Sequence, residues 1–327
     1  MRVGVIGFRN HASRLASHVL KFNSTQEVIL FHPNPLAILD KKLKKINLRA
    51  TSNFLDILEC DAVIISSPSS THIEYIKKLI SSNIYILCEK PLATSYEELS
   101  YLESLTPLEK GRIYTNFNMI FSDYALTLKR YVLDNSIGFP IHLSMSSTHG
   151  LSYKESFKEN WRFKNKEIFT NIFGNVGIHY IHLFEFIFGE IVDFYLSTSN
   201  TNKEILCPDN VNIFLKNNHG VSANFFLSYS CPYNKSAECF FSNGILFEKN
   251  EMVEIQEPRD TFDHYGRFCA ATRNILLKSN EADDSMQRSV NYFLKTAEAK
   301  SSFTKKDFNL AASASKLVLK MSNEYLK

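Results

Sequence analysis

Short apolar runs rich in β-branched residues, at 3–6, 28–31, 62–66, 84–87 and 113–117, punctuate the first 120 residues of the chain. Between them lie segments whose apolar positions recur at helical spacing, as with Ile73, Ile76, Leu79 and Ile80. That spacing predicts helices over about 12–22, 72–82 and 95–105. Thr94, with Glu97 and Glu98 behind it, reads as an N-cap followed by an acidic first turn. Strands that alternate with helices predict a parallel, doubly wound sheet, because a parallel strand needs a long crossover to return to the same edge.

Past residue 120 the pattern changes. A helix over about 122–135 leads through Gly138-Phe139-Pro140 into a strand, and after a further helix the period falls to two. Val221, Ala223, Phe225 and Leu227 share one face of a half-buried antiparallel strand. Three helices are expected to close the chain, the last with Phe308, Ala311, Ala312, Ser315 and Leu319 on one stripe. The expected architecture is α/β: a doubly wound domain over 1–120, then over 121–327 an α+β domain with an open, largely antiparallel sheet for substrate binding and assembly.

A chain of 327 residues, 44% hydrophobic, can fill two such cores. Lys and Arg number 37 against 34 Asp and Glu, so a net +3 gives no electrostatic case for nucleic acid or an anionic membrane. A small anionic ligand needs only a local positive site. The six cysteines, at 60, 88, 207, 231, 239 and 269, form no CxxC pair, which argues against a zinc ribbon or a disulfide scaffold and fits a reducing compartment. Met1 leads directly into a strand pattern, and no apolar run approaches the roughly 18 residues of a membrane helix. A cytoplasmic protein is expected.

Three short motifs carry chemistry. Gly7-Phe8-Arg9-Asn10-His11-Ala12 follows the first strand, where a dinucleotide-binding fold places its glycine-rich phosphate turn. Gly7 permits the tight turn and Ala12 is small enough for helix-on-strand packing. Arg9 replaces the middle glycine, so its side chain must point away or contact the phosphate or adenosine itself. At the end of the second strand Phe31 is followed by His32-Pro33-Asn34-Pro35 in place of the acidic residue that binds the ribose hydroxyls of NAD. A 2′-phosphate is then not repelled; NAD(P) is expected, with a lean to NADP, and Arg9 or Arg14 is either its cationic partner or a solvated helix-start arginine. In Cys88-Glu89-Lys90-Pro91, Lys90 stands at the carboxyl end of the 84–87 strand, where open α/β sheets bind ligands; otherwise it is a surface lysine in a turn.

Taken in order with Ser67-Pro68-Ser69-Ser70-Thr71-His72 and Asn175-Val176-Gly177-Ile178-His179, these motifs make the chain resemble the Gfo/Idh/MocA family of NAD(P)-dependent oxidoreductases, over nearly its whole length. The resemblance implies a Rossmann domain and activity on sugars, sugar nucleotides or cyclitols. It places Gly7, Phe8, Arg9, Asn10, His32, Ser67, Pro68, His72, Glu89 and Lys90 along the cofactor, with Lys90 touching substrate as well and the Lys90–Pro91 peptide cis. His72 reads better as a helix cap than as a chemical group. Glu89 either positions the cofactor or forms a surface ion pair.

Removing hydride from a carbinol carbon requires that the hydroxyl proton leave as the carbonyl forms. His179 is the candidate base and Lys90 the cation for the alkoxide, from different domains and so meeting in a cleft between them. Asn175, four residues before His179 and so expected on the same face of a helix running to about 188, stands where the family usually has aspartate; it can hydrogen-bond the site but cannot raise the histidine's pKa as a carboxylate would. Asn118, with Asn116 nearby, and Trp161 and Arg162 are candidate substrate contacts, core packing or a salt bridge being the alternative for the last two. His149, Tyr153 and Tyr265 are weaker candidates. His182 near His179 lacks a completing carboxylate or cysteine cluster, so no metal site is expected. Two readings stay open: an oxidoreductase, and a weakly active or non-catalytic nucleotide- or sugar-binding relative suggested by Arg9, His32, Ile120 and Asn175, which depart from the family pattern. The partners expected are a sugar or sugar nucleotide, neither nucleic acid nor membrane, and further copies of the chain in a homodimer or homotetramer.

Overall fold

The structure, a computed structural model, describes residues 1–7, 10–34, 47–155, 169, 171–204, 207–278 and 281–325, without the side chains of 281–284 and 325. It forms two compact units, Met1–Asn118 with Asp284–Lys316, and Met119–Asp283 with Leu317–Lys327.

In the first unit six strands, β1 (Arg2–Ile6), β2 (Glu27–Phe31), β3 (Leu48–Thr51), β4 (Ala62–Ile65), β5 (Tyr85–Glu89) and β6 (Ile113–Asn116), form one sheet in the order β3-β2-β1-β4-β5-β6. Every pairing in it is parallel. Helices α1 (Asn10–Val19), α2 (Leu55–Leu58), α3 (His72–Leu79), α4 (Tyr96–Ser104) and α5 (Pro107–Lys110) follow the strands. The unbroken apolar runs of β1, β2 and β4 are buried, as a sheet covered on both faces requires. The α4 cap lies one residue later than the sequence suggests: Ser95 accepts from the Glu98 amide, while the Thr94 hydroxyl and amide both donate to the Glu98 carboxylate. Ser95 thus takes one of the helix's orphan amides, and the Glu98 carboxylate ties the preceding residue back to the first turn.

The second unit opens with α6 (Asp123–Asp134), capped by Ser122, and β7 (Pro140–Thr148). A π-helical turn at Phe173–Gly177 runs into α7 (Ile178–Phe188). β8 (Ile191–Ser199), β9 (Asn210–Asn217), β10 (Ser222–Ser228), β11 (Asn234–Phe241), β12 (Gly244–Lys249), β13 (Met252–Gln256) and β14 (Arg273–Lys278) complete a sheet of order β14-β13-β12-β11-β7-β10-β9-β8. It is antiparallel except for the β7–β10 pair. Register explains its two faces. Leu196, Ile213, Phe225, Met145 and Ala237 align across five strands and are buried. One residue over, Tyr195, Phe214, Asn224, Ser144 and Glu238 align on the other face, where Tyr195 is 52% and Phe214 42% exposed.

The chain closes with two helices, α8 (Glu281–Glu298) and α9 (Lys305–Tyr325), where three were expected. Residues 284–316 group with the first unit. The reason is aromatic packing: Tyr114 of β6 meets Tyr292 and Phe303 at ring-centroid distances of 5.3 and 5.2 Å. Phe308, Ala311, Ser315 and Leu319 are buried along the expected α9 stripe.

Candidate active site

The turns after β1, β2 and β4 converge at the carboxyl edge of the first sheet. Gly7 has φ +110°, and a Cβ there would stand 2.5 Å from the Ser66 carbonyl oxygen. Only glycine allows this approach of backbone to backbone. The Gly7 amide donates to Phe31 O at 3.2 Å, and the Ser66 amide to Ile6 O at 2.8 Å, closing the three turns onto one another. Phe8 and Arg9 lie outside the described residues; Asn10 begins α1, whose first turn carries no acidic residue. That end of the helix therefore keeps its partial positive charge for an anion.

His32 stands just past β2, and no carboxylate ends that strand. Its Nδ1 accepts the Asn34 amide hydrogen at 3.0 Å, with Asn34 O 2.9 Å from the same nitrogen. The ring thus closes a local turn with the Asn34 backbone.

Lys90 directly follows β5, and both of its neighbours are anchored. Glu89 is 7% exposed; His11 Nε2 donates to its Oε1 at 2.8 Å and Asn116 Nδ2 to the same oxygen at 2.6 Å. Burial alone raises this carboxyl's pKa, but the His11 and Asn116 hydrogen bonds and the nearby charges of His11 and Lys90 outweigh it and hold the group below its ordinary range. Glu89 is thus a buried, ionised group set against the partly exposed His11. On the other side the Lys90–Pro91 peptide is cis, and the Pro91 carbonyl lies 2.9 Å from His72 Nδ1. The His72 Nε2 lies 3.1 Å from Ser67 O, and the ring is 1% exposed. The side chain makes no capping bond to α3, so the helix-cap reading of His72 gives way: it lies between the Ser67 and Pro91 turns.

Asn116 is 1% exposed, and Ser289 Oγ donates to its Oδ1 at 2.7 Å, so both ends of its amide serve the interior. The Asn118 amide donates to Ser285 Oγ at 2.9 Å. These neighbours come from residues 284–316, whose return to the first sheet gives β6 its polar partners.

In the second unit Asn171 prepares the π turn by accepting the Gly174 amide at 3.0 Å. A Cβ on Gly177 would stand 2.9 Å from Ile213 Cδ1, so a glycine brings the turn onto the inner face of the sheet. Asn175 lies in this π turn and His179 in α7, so the single α-helical face expected for the pair is replaced by a π-to-α junction. Asn175 Nδ2 donates to the Tyr229 hydroxyl oxygen at 3.2 Å, and the Tyr229 ring stacks on His149 at 4.9 Å and 25°. Burial, then Lys154, lowers the His149 pKa. His179 is half-buried. His182 is buried against Phe186, and burial pushes its pKa down to about 3. No group of three or more His, Cys, Asp or Glu side chains among the described residues is placed to hold a metal. Trp161 and Arg162 lie outside the described residues; Tyr153 and Tyr265 are exposed, and Ile120 is buried.

Sequence reasoning passed over His11 and Tyr229. The first is legible only as the residue before Ala12 in the phosphate motif, since its partner Glu89 is 78 positions away. The second carries a weak signal, a tyrosine just past the alternating β10 run.

The oxidoreductase family with an NAD-binding Rossmann fold matches residues 1–116, and the C-terminal domain of the same family matches residues 125–247. The chain belongs to the Gfo/Idh/MocA family. Among Gfo/Idh/MocA relatives, glucose-6-phosphate 3-dehydrogenase of Bacillus subtilis is 24% identical over 269 residues, 76% of this chain and 73% of that protein. A myo-inositol dehydrogenase from Corynebacterium glutamicum has the same fold, with TM-score 0.79, 18% identity and coverage of 100% of this chain and 96% of that one. So does a 3-ketoreductase from Actinomadura kijaniata solved with NADP and TDP-benzene, with TM-score 0.78, 17% identity and coverage of 99% and 97%. The chain is therefore an oxidoreductase with an NAD-binding Rossmann domain. No helix among the described residues is long and apolar enough to cross a membrane.

Proposed function

We propose that the protein transfers a hydride between a nicotinamide cofactor and a hydroxyl or keto carbon of a sugar, sugar nucleotide or cyclitol. The observation that carries this reading is the setting of Lys90: a lysine at the carboxyl edge of a dinucleotide-type sheet, between an ionised, buried Glu89 and an anchored Pro91. A cation held this way can steady an oxygen that gains negative charge as its proton leaves. His179 is assigned that proton. In the oxidation direction the C–H electron pair passes with the hydrogen to the nicotinamide, the O–H proton passes to His179, and Lys90 holds the oxygen. Asn175 orients the site through its bond to Tyr229 and adds no charge of its own. Asn118, Trp161 and Arg162 are assigned to the substrate.

Gly7, Phe8, Arg9, Asn10, Ser67, Pro68 and Glu89 are assigned to the cofactor's bed with His32, and the lack of a carboxylate at the end of β2 favours NADP over NAD. The resemblance to glucose-6-phosphate and inositol dehydrogenases supports the substrate class. Tyr195 and Phe214 on the outer face of the second sheet support assembly into a homodimer or homotetramer, which sedimentation of the purified chain measures. A cytoplasmic location completes the proposal.

Titrating the protein with NADPH and NADH, followed by reduced-nicotinamide fluorescence, tests the cofactor. Oxidation of glucose 6-phosphate and myo-inositol with NADP and NAD tests the substrate class, and Lys90→Ala is expected to abolish turnover with the fold intact. Failure of both reduced cofactors to bind at millimolar concentration sinks the reading. One observation favours the weaker relative: the carboxamide of Asn175 provides no negative charge near an imidazolium at His179. Binding without turnover of any polyol is what that alternative predicts.

A further inference from the structure

His72 faces a conflict that its neighbours do not resolve. Its two ring nitrogens each point at a carbonyl oxygen, Pro91 O at 2.9 Å from Nδ1 and Ser67 O at 3.1 Å from Nε2. A neutral imidazole has one N–H, so it can donate to one of these oxygens and turns a lone pair towards the other. Only the doubly protonated ring satisfies both. Burial drives the ring towards neutrality, while the two carbonyls and the charges of Glu89 and Glu98 pull the other way without prevailing. One proton is therefore shared between two loops, and its place decides which is held. Ser67 is in turn fixed to its own loop, its Oγ 2.7 Å from Thr71 Oγ1, which donates to Pro68 O at 2.8 Å. A hold on Ser67 is thus a hold on the whole turn after β4. Pro91 directly follows Lys90.

We propose that His72 is a positioning residue coupling the seating of the dinucleotide on the Ser67–Pro68 turn to the setting of Lys90, by moving one hydrogen bond between the Ser67 and Pro91 carbonyls. The inference rests on the cofactor reading given above. The Nδ1–H tautomer secures the lysine turn and the Nε2–H tautomer secures the cofactor turn. Neither loop needs to unfold for the exchange.

Two amide variants separate the two contacts. In His72→Asn the side-chain NH2 falls near the place of Nδ1 and keeps the Pro91 bond; in His72→Gln it falls near Nε2 and keeps the Ser67 bond. Two quantities are read on the full chain: the NADPH dissociation constant by fluorescence, and the acetylation rate of Lys90 by limiting acetic anhydride, followed by peptide mass spectrometry. His72→Asn is expected to weaken NADPH about five- to tenfold with Lys90 reactivity nearly unchanged, the worth of one buried hydrogen bond. His72→Gln is expected to do the reverse, altering Lys90 labelling at least about threefold while NADPH binds as in wild type. Parallel changes in both readings, or none in either, overturn the proposal, because a merely structural ring moves them together. Where a variant fails to fold, wild-type protein with 15N-labelled histidine decides: saturating NADPH shifts the His72 Nδ1 and Nε2 resonances in opposite directions if the proton moves, and unmoved resonances overturn the coupling. Wild-type protein that binds neither NADPH nor NADH overturns the cofactor reading and the coupling with it, whereas normal binding with unselective variants overturns the coupling alone.

Discussion

Replacing Glu89 with Gln tests whether the carboxylate beside Lys90 is charged and holds the site together. The two donors, His11 Nε2 and Asn116 Nδ2, converge on one carboxylate oxygen, and a Gln carbonyl can take its place without a change of shape. A hydrogen bond to a charged acceptor is roughly twice as strong as a neutral one of about 1 kcal/mol, so two such bonds lose about 2 kcal/mol. Relief from burying a charge returns part of this, since burial is the largest single influence on the carboxyl and acts against ionisation. The net expectation is about 1 kcal/mol of lost stability at neutral pH, or roughly 2–4 °C in melting temperature for a unit of this size. Glu89→Ala also strands the buried Asn116 donor and costs about 1–3 kcal/mol more. Circular dichroism melts, matched to hydrogen exchange of the β5 peptide, read these differences. Because the folded carboxyl titrates below its unfolded value near 4.3, its contribution is complete above about pH 5 and is lost as pH falls through the folded value. The gap between wild type and Glu89→Gln must therefore close in acid. A variant as stable as wild type at neutral pH, or a gap that does not narrow as pH falls below the unfolded value, refutes the charged-node argument.

His182, with a folded pKa of about 3 against about 6.5 unfolded, is protonated first in the unfolded chain, so it gives full stability above about pH 6.5 and loses it progressively towards pH 3. At about pH 5 the loss is roughly 2 kcal/mol, and His182→Phe is expected to flatten that part of the stability–pH curve measured by urea unfolding; an unchanged slope assigns the acid sensitivity elsewhere. Gly7→Ala forces a Cβ against Ser66 O at φ +110°, so a cost of about 2–4 kcal/mol and loss of NADPH fluorescence enhancement are expected, and retained binding would show that the turn after β1 is not the phosphate site. Asn175→Asp places a carboxylate within reach of the Tyr229 hydroxyl and adds negative charge four residues before His179. The acid limb of the oxidation pH–rate profile is expected to move upward, as a raised histidine pKa requires, and an unmoved limb excludes that position from tuning the base.

The parallel sheet was readable because β1, β2, β4, β5 and β6 are runs buried on both faces, which selects continuous apolar sequence. The edge strand β3 was not, since Leu48-Arg49-Ala50-Thr51 is only four residues long and buries none of them; its ladder to β2 and the ion pairs of Arg49 with Glu27 and Asp56 hold it. An amphipathic pattern shows that α8 packs but not on which sheet, so the return of residues 284–316 to the first unit stayed hidden until Tyr292 and Phe303 were seen against Tyr114. At the site, the chain position of Lys90 followed from the strand pattern, whereas the burial of Glu89 did not, because the sequence lists a charge and never the distant His11 and Asn116 that stabilise it. The π turn was hidden for a related reason: it depends on Asn171 and on the contact of Gly177 with Ile213, and a four-residue spacing reads as α-helix without them.

These hidden parts bear on how the site is made rigid. A lysine in a turn is ordinarily mobile, and a catalytic cation is useful only if it does not have to reorganise as charge develops. Here Lys90 is set between two residues whose partners come from separate turns, His11 and Asn116 on one side and His72, itself tied to Ser67, on the other. The first turn of α1, the end of β6 and the loop after β4 therefore all constrain one position, although each is far from it in sequence. The bond that Asn175 donates to the Tyr229 hydroxyl is neutral, and the Tyr229 ring stacks on His149. A buried, ionised Glu89 and a neutral Asn175 imply different tolerances: substitutions around Glu89 act on stability and site geometry together, while those around Asn175 can retune the chemistry with the fold nearly unchanged.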